Sequence, residues 1–253
     1  MEFLTIIHKK DEILMNVTLY NADCLEQMKN IPDSSIDMVF CDLPYGTTQN
    51  SWDTVVPLDK LWLEYNRTVK ENGAIVLTSS QPFTSILIAS NIKNFKFEWI
   101  WKKTIGSGQM NIKRQPLKIH ESVLVFYRKP PTYNEQKTVG KPYSITRKES
   151  SLKETSYGKQ KTHDKNNDGF RHAQSIIEIP NPRIRGGHPT EKPVSLCEYF
   201  IKTYSNESDV VLDNCMGSGS TGQACINLNR NFIGIEKELT YYEMAKKRLN
   251  YNT

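Results

Sequence analysis

Short apolar runs recur along the chain at Val17–Tyr20, Ile36–Phe40, Ala74–Leu77, Phe97–Trp101, Ser122–Tyr127, Val210–Leu212 and Asn231–Ile235. Their brevity and continuity predict strands covered on both faces, as in a parallel sheet. Between them, Pro57–Lys70, Pro82–Asn91, Pro193–Tyr204 and Ser220–Leu228 carry apolar residues three and four positions apart. That spacing predicts helices with one buried face, and three of the four begin on a proline, which suits a first helical turn. Strand and helix alternate, so the expected fold is α/β: one mostly parallel sheet with flanking helices.

The alternation fails between about Pro130 and Gly187, where Lys, Asn, Ser, Thr, Gly and Tyr dominate. This stretch is expected to be an insertion, with a turn-rich tract at Lys159–Gly169. At 253 residues, 38% hydrophobic and 24% charged, the chain can bury one substantial core, so one domain with an insertion is the economical organisation. The net charge of +5 is concentrated in the insertion: Arg128–Gly187 holds 13 Lys and Arg against 6 Asp and Glu, or +7, leaving −2 elsewhere. A polyanion such as nucleic acid would suit that segment, although solvated surface can look the same. No apolar stretch approaches the ~20 residues needed to cross a bilayer, and Met1–Lys10 has no long apolar signal segment. The five cysteines, Cys24, Cys41, Cys197, Cys215 and Cys225, form no Cys-x-x-Cys pair. A disulfide scaffold or structural metal is not expected, and a reduced, cytoplasmic setting is.

Three clusters carry chemistry. In Val210-Val211-Leu212-Asp213-Asn214-Cys215-Met216-Gly217-Ser218-Gly219-Ser220-Thr221-Gly222 a buried strand ends in an acid, a Gly-rich turn follows and a helix begins. Such a turn brings backbone N–H groups close to a ligand. The next strand ends in Glu236, where a carboxylate can accept hydrogen bonds from ribose hydroxyls, so a nucleoside ligand is expected; the plainer reading is a tight turn whose glycines serve packing. Only 31 residues follow Gly222, too few for the second half of a dinucleotide fold, which disfavours an oxidoreductase. The second cluster, Ile36–Gly46, delivers Asp42-Leu43-Pro44-Tyr45 to another strand's carboxyl end. There the Asp42 carboxylate and the Leu43 carbonyl can accept from one amino group while Tyr45 offers a stacking face. Alternatively the four residues are a strand-ending turn. The third, His188-Pro189-Thr190-Glu191-Lys192-Pro193, reads on its own as Thr190 capping a helix beside a solvated Lys192.

Taken together and in this order, the three clusters resemble the motifs of S-adenosylmethionine-dependent DNA amino-methyltransferases, in the β group whose catalytic motif precedes the cofactor loop. Asp42–Asp53 (with Thr47, Thr48 and Trp52), Gly73–Phe83, Trp99–Lys103 and His120–Phe126 are also similar to small solitary methylases of phages and prophages, and the likeness runs from about Val17 to Arg248. The resemblance implies a Rossmann-like class I methyltransferase fold with permuted motif order: residues 1–127 as the catalytic half, 128–187 as an inserted target-recognition segment and 188–253 as the cofactor-binding half. It implies S-adenosylmethionine as cofactor, double-stranded DNA as partner, base flipping, a place in restriction-modification chemistry and, as is common in the group, a homodimer.

The roles it carries over are these. Tyr45 stacks on the flipped base while Asp42 and the carbonyl of Leu43, stiffened by Pro44, accept its amino hydrogens. Asp213 and the backbone of Met216, Gly217, Ser218 and Gly219 surround the methionine part of the cofactor, Glu236 meets the ribose, and Thr190 and Lys192 lie near the methionine carboxylate. Asp23 meets the adenine amino group with Cys24 beside it, although an aspartate there also suits a turn. Arg171, Arg183 and Arg185 are expected to touch DNA. The family's usual motif has proline where this chain has Leu43, which removes some rigidity and leaves the carbonyl. Aspartate at position 42 favours adenine N6 over cytosine N4. A DNA-binding protein without catalysis is the rival from another class, and the intact Asp42, Tyr45 and Asp213 argue against it.

Overall fold

The computed structural model describes residues 2–10, 13–46, 53–146, 165–181 and 191–250. These fall into two compact units, one of residues 1–134 and 175–253 and one of residues 135–174. The first unit holds β1 (Glu2–Lys10), β2 (Ile13–Asn21), α1 (Cys24–Met28), β3 (Ile36–Asp42), α2 (Leu58–Thr68), β4 (Val69–Ser79), α3 (Phe83–Ser90), β5 (Phe95–Ser107) and β6 (Lys118–Phe126). The second contributes β7 (Thr138–Val139), β8 (Tyr143–Ile145), β9 (Lys165–Asn167) and β10 (Phe170–Arg171). The first unit then resumes with β11 (Ile176–Glu178), α4 (Val194–Tyr204), β12 (Val210–Asp213), α5 (Ser220–Asn227), β13 (Asn231–Glu236) and α6 (Leu239–Asn250). Within the second unit, β7 pairs with β10 and β8 with β9, both antiparallel.

A single sheet of order β1-β2-β13-β12-β3-β4-β6-β5-β11 organises the first unit. Strands β2, β13, β12, β3 and β4 run parallel; β6 is antiparallel to both β4 and β5, and β1 closes the far edge as an antiparallel partner of β2. The continuous apolar runs become the strands covered on both faces. In β3, Val39 and Cys41 join a cluster with Met28, Leu61, Tyr65 and Phe83 from α1, α2 and α3. Phe40 points the other way and stacks on Phe200 of α4 at 5.9 Å. Helices α4, α5 and α6 pack together, giving helix layers on both sides of the sheet. Among the described residues no helix is long and apolar enough to cross a membrane.

All of the predicted strands and helices form. Strands β5 and β6 extend past Trp101 and before Ser122 as a hairpin of mostly exposed residues, whose ladder runs to Lys102–His120, shifts register and resumes at Ser107–Lys118, so no apolar run marks it in the sequence. Helix α6 is an addition to the sequence reading: its buried face is only Tyr242, Ala245 and Leu249, diluted by the charges of Glu243, Lys246, Lys247 and Arg248. Strand β1 is likewise an addition.

Phe200 is fully buried and touches Phe40, Trp99 and Tyr199. Phe200→Ala leaves a void under the sheet centre and is expected to cost about 3–5 kcal/mol, read as a lowered midpoint in urea unfolding.

Candidate active site

The chain connections diverge between the neighbours β3 and β12, the switch point at which open α/β sheets hold ligands. The carboxyl ends of β3, β12 and β13 there present Asp42, Asp213 and Glu236 to one cavity of about 600 Å³. Leu43, Pro44, Tyr45, Asp23, Cys24 and Lys192 line it, as do Met216, Gly217 and Ser218.

Asp42 is held by three donors. Tyr45 gives its hydroxyl to Oδ1 at 2.5 Å, Thr78 of β4 gives its hydroxyl to the same oxygen, and Lys192 Nζ reaches Oδ2 at 2.5 Å. The Lys192 ammonium also faces Glu121 of β6 at 3.3 Å, and Glu121 in turn takes Lys103 of β5 at 2.9 Å. Burial alone would drive Lys192 towards its neutral form, but the carboxylates of Asp42 and Glu121 outweigh it and hold its pKa well above the ordinary lysine value. Glu121, also penalised by burial, is held below the usual carboxylate range by Lys192 and Lys103. Lys192 is only 9% exposed, so it is not the solvated lysine of the plainer reading, and its ammonium, which the resemblance sets near the cofactor's methionine carboxylate, is directed here at Asp42 and Glu121 within a four-membered chain of ions. Helix α4 begins at Pro193 with no side-chain cap. The Tyr45 ring stacks on Phe83 at 5.4 Å, and the neighbouring Gly46 N–H donates to Asp53 at 2.8 Å. Leu43, where the family has proline, is buried in the core.

The cofactor-loop candidates separate into two kinds. Gly217 takes a left-handed φ of +52° and donates its N–H to Glu236 Oε2 at 2.9 Å, facing the cavity. Gly219, also left-handed at φ +85°, and Gly222 make room for neighbours: a Cβ on Gly219 would meet Ala245 at 3.0 Å, and one on Gly222 would meet Leu249 at 2.7 Å and Phe232 at 2.8 Å. Asp213 Oδ2 accepts from Thr221 at 2.6 Å and Oδ1 from Cys215 N–H at 3.1 Å. Those donors are neutral, and burial pushes its carboxyl up to about 7. Burial also raises Glu236, whose second oxygen takes Glu238 N–H at 2.8 Å. Asp23 caps α1 through Leu25 and Glu26 N–H, as its turn reading expects, and lines the cavity as well. All five cysteines are free, and burial pushes the Cys41 thiol up to about 12.

Sequence reasoning passed over Thr78, Lys103, Glu121 and Glu191. Glu191 accepts from Ser218 at 2.9 Å and Ser220 at 3.2 Å and pairs with Arg248 at 2.7 Å, tying the Gly-rich loop to α6. A signal existed for Thr78 and Glu121, polar residues flanking apolar runs, but not for their partners. Thr190, Arg183, Arg185, Thr47, Thr48 and Trp52 lie outside the described residues. Arg171, in the second unit, stacks its guanidinium 4.8 Å from the Tyr143 ring and donates to Asn167 and the Lys141 carbonyl.

The sequence model of the N6/N4 DNA methylase family matches residues 36–247. The chain is 30% identical to the type II methyltransferase M.HinfI of Haemophilus influenzae over 92% of its own length and 68% of that protein. It is 28% identical to the DNA adenine methyltransferase YhdJ of Escherichia coli over 92% and 82% respectively. The crystal structure of an M1.HpyAVI–SAM complex superposes with a TM-score of 0.63 at 28% identity, covering 92% of this chain and all (100%) of that one.

A carboxyl raised on folding stabilises the fold most below its unfolded value, near pH 4, and loses that contribution as pH rises through about 7. Thermal melts are therefore expected to show wild type losing ground to Asp213→Asn between pH 5 and pH 8.

Proposed function

The chain belongs to the N6/N4 DNA methylase family, and from that membership we propose that it moves the methyl group of S-adenosylmethionine to N6 of an adenine flipped out of duplex DNA. One observation carries the reading: the Asp42 carboxylate, fixed by three donors, shares a cavity with the acids that end β12 and β13. When bound, S-adenosylmethionine supplies an electrophilic methyl on a positively charged sulfur.

The residues present fit that cofactor. Asp213 is a buried acid with neutral donors only, an arrangement that a neighbouring cationic group would relieve. Glu236, half-shielded, keeps acceptor capacity for ribose hydroxyls, and Asp23, Met216, Gly217 and Ser218 complete that end.

An exocyclic amino nitrogen is a poor nucleophile because its lone pair is delocalised into the ring. Asp42 and the Leu43 carbonyl accept its two hydrogens and favour a tetrahedral nitrogen with the lone pair free. The network fixes the direction of Asp42 before the base arrives, and the Lys192 ammonium at Oδ2 steadies its negative charge, so Asp42 serves as an oriented acceptor. Tyr45, braced by Phe83, gives the base a face on which to stack. No covalent intermediate is required, in keeping with buried, protonated thiols. Adenine is favoured over cytosine by the aspartate at position 42 and by the name of the relative YhdJ. Residues 128–187 read the target sequence in this proposal, and free thiols together with a DNA substrate suit the cytoplasm.

Transfer of labelled methyl to unmethylated genomic DNA, followed by nucleoside mass spectrometry, is expected to yield N6-methyladenine; N4-methylcytosine would overturn the base assignment and absence of label the function. Asp42→Ala is expected to lower kcat by about a hundredfold or more while sparing DNA binding. Calorimetry is expected to show S-adenosylmethionine binding tighten as pH rises through about 7, where Asp213 becomes charged, with no such trend in Asp213→Asn.

A further inference from the structure

The β5–β6 hairpin has features that the functional reading leaves unused. From Lys102 to His120 the chain carries five Lys and Arg and no Asp or Glu, a bias outside the basic 128–187 segment. Residues 109–117 at its tip are all exposed. At the end stands Met110, 100% exposed on a single 3-10 turn, with Ile112 exposed beside it. Lys113 and Arg114 follow, and neither makes an ion pair with another described residue. The tip thus sets two exposed apolar side chains, Met110 and Ile112, beside two cations that have no ion-pair partner among the described residues, a combination that suits a polyanion with an apolar interior.

The hairpin is built to hold its shape. Gly106 lies so close to Leu117 that a Cβ would meet it at 3.0 Å, Gly108 enters the turn at φ +92°, and Gln109 donates to the Gly106 carbonyl at 2.7 Å. Asn181 braces the stem by accepting Ile105 N–H at 3.0 Å. The stem also forms a wall of the cavity, through Lys103 and Ser107. The tip therefore projects from the margin of the cavity that holds Asp42.

We propose that this hairpin is a DNA-contacting element distinct from the 128–187 segment, with Lys113 and Arg114 on backbone phosphates and Met110 entering the base stack beside the displaced base. The proposal rests on the reading that duplex DNA is the substrate. Cations satisfy phosphates and release counterions, while an apolar wedge fills a step that base extrusion leaves unstacked, so one short finger supplies both needs.

Peroxide footprinting with mass spectrometry tests it on the full chain, using mixed-sequence unmethylated duplex DNA as the probe. Met110 is expected to oxidise rapidly in the free protein and about tenfold more slowly with DNA bound, while buried Met15, Met28 and Met38 stay reduced throughout and report an intact fold. Binding by the Lys113→Ala, Arg114→Ala double variant is expected to show a log K against log salt slope shallower by about two. An active chain in which Met110 oxidises equally fast with and without DNA overturns this proposal alone, and so does an unchanged slope. Slow oxidation without DNA overturns it by placing the tip in a protein contact. A chain that neither binds nor methylates DNA overturns the functional reading and this one with it.

Discussion

The site depends on one buried cation. Lys192 follows the long polar segment, Asp42 ends a strand 150 residues earlier, and their ion pair at 2.5 Å joins the two halves of the chain at the ligand cavity. A lysine so enclosed is stable because two carboxylates face it; removing either leaves excess positive charge on a largely buried group. Other contacts repeat the joint. Tyr65 of α2 donates to Asn214 beyond β12 at 2.6 Å, and Asp37 of β3 takes Lys70 at 2.6 Å and Val210 N–H at 3.0 Å. The acids at the strand ends thus work as structure and as chemistry together.

Much of this was legible without coordinates, for a physical reason. Strands covered on both faces are apolar over most of their length, so Ile36–Phe40 and Val210–Leu212 declare themselves, and an acid at the end of such a run stands where the sheet ends. Asp42, Asp213 and Glu236 were found that way. Lys192 was legible as a letter in a motif but not as a charge in a network, because its partner Glu121 lies 71 positions away, in the outer half of β6 before its buried run begins, and pairing at that range leaves no periodic trace. Helix α6 escaped because three buried residues among four charges make a weak stripe. The glycines show a subtler ambiguity: Gly217 lines the cavity while Gly219 and Gly222 make room for α6 and Phe232, and spacing alone cannot divide them.

The strand order sets how the protein must be made. Strand β13 sits between β2 and β12, so β2, made some two hundred residues before β13, has no inner neighbour until residues 231–236 have emerged. At ordinary rates of synthesis that wait is roughly ten to forty seconds. During it the inner edge of β2, with Val17 and Leu19 destined for full burial, offers backbone groups and apolar side chains to whatever is near. The early β1–β2 hairpin covers one edge of that strand and leaves the other open to mispairing until β13 arrives.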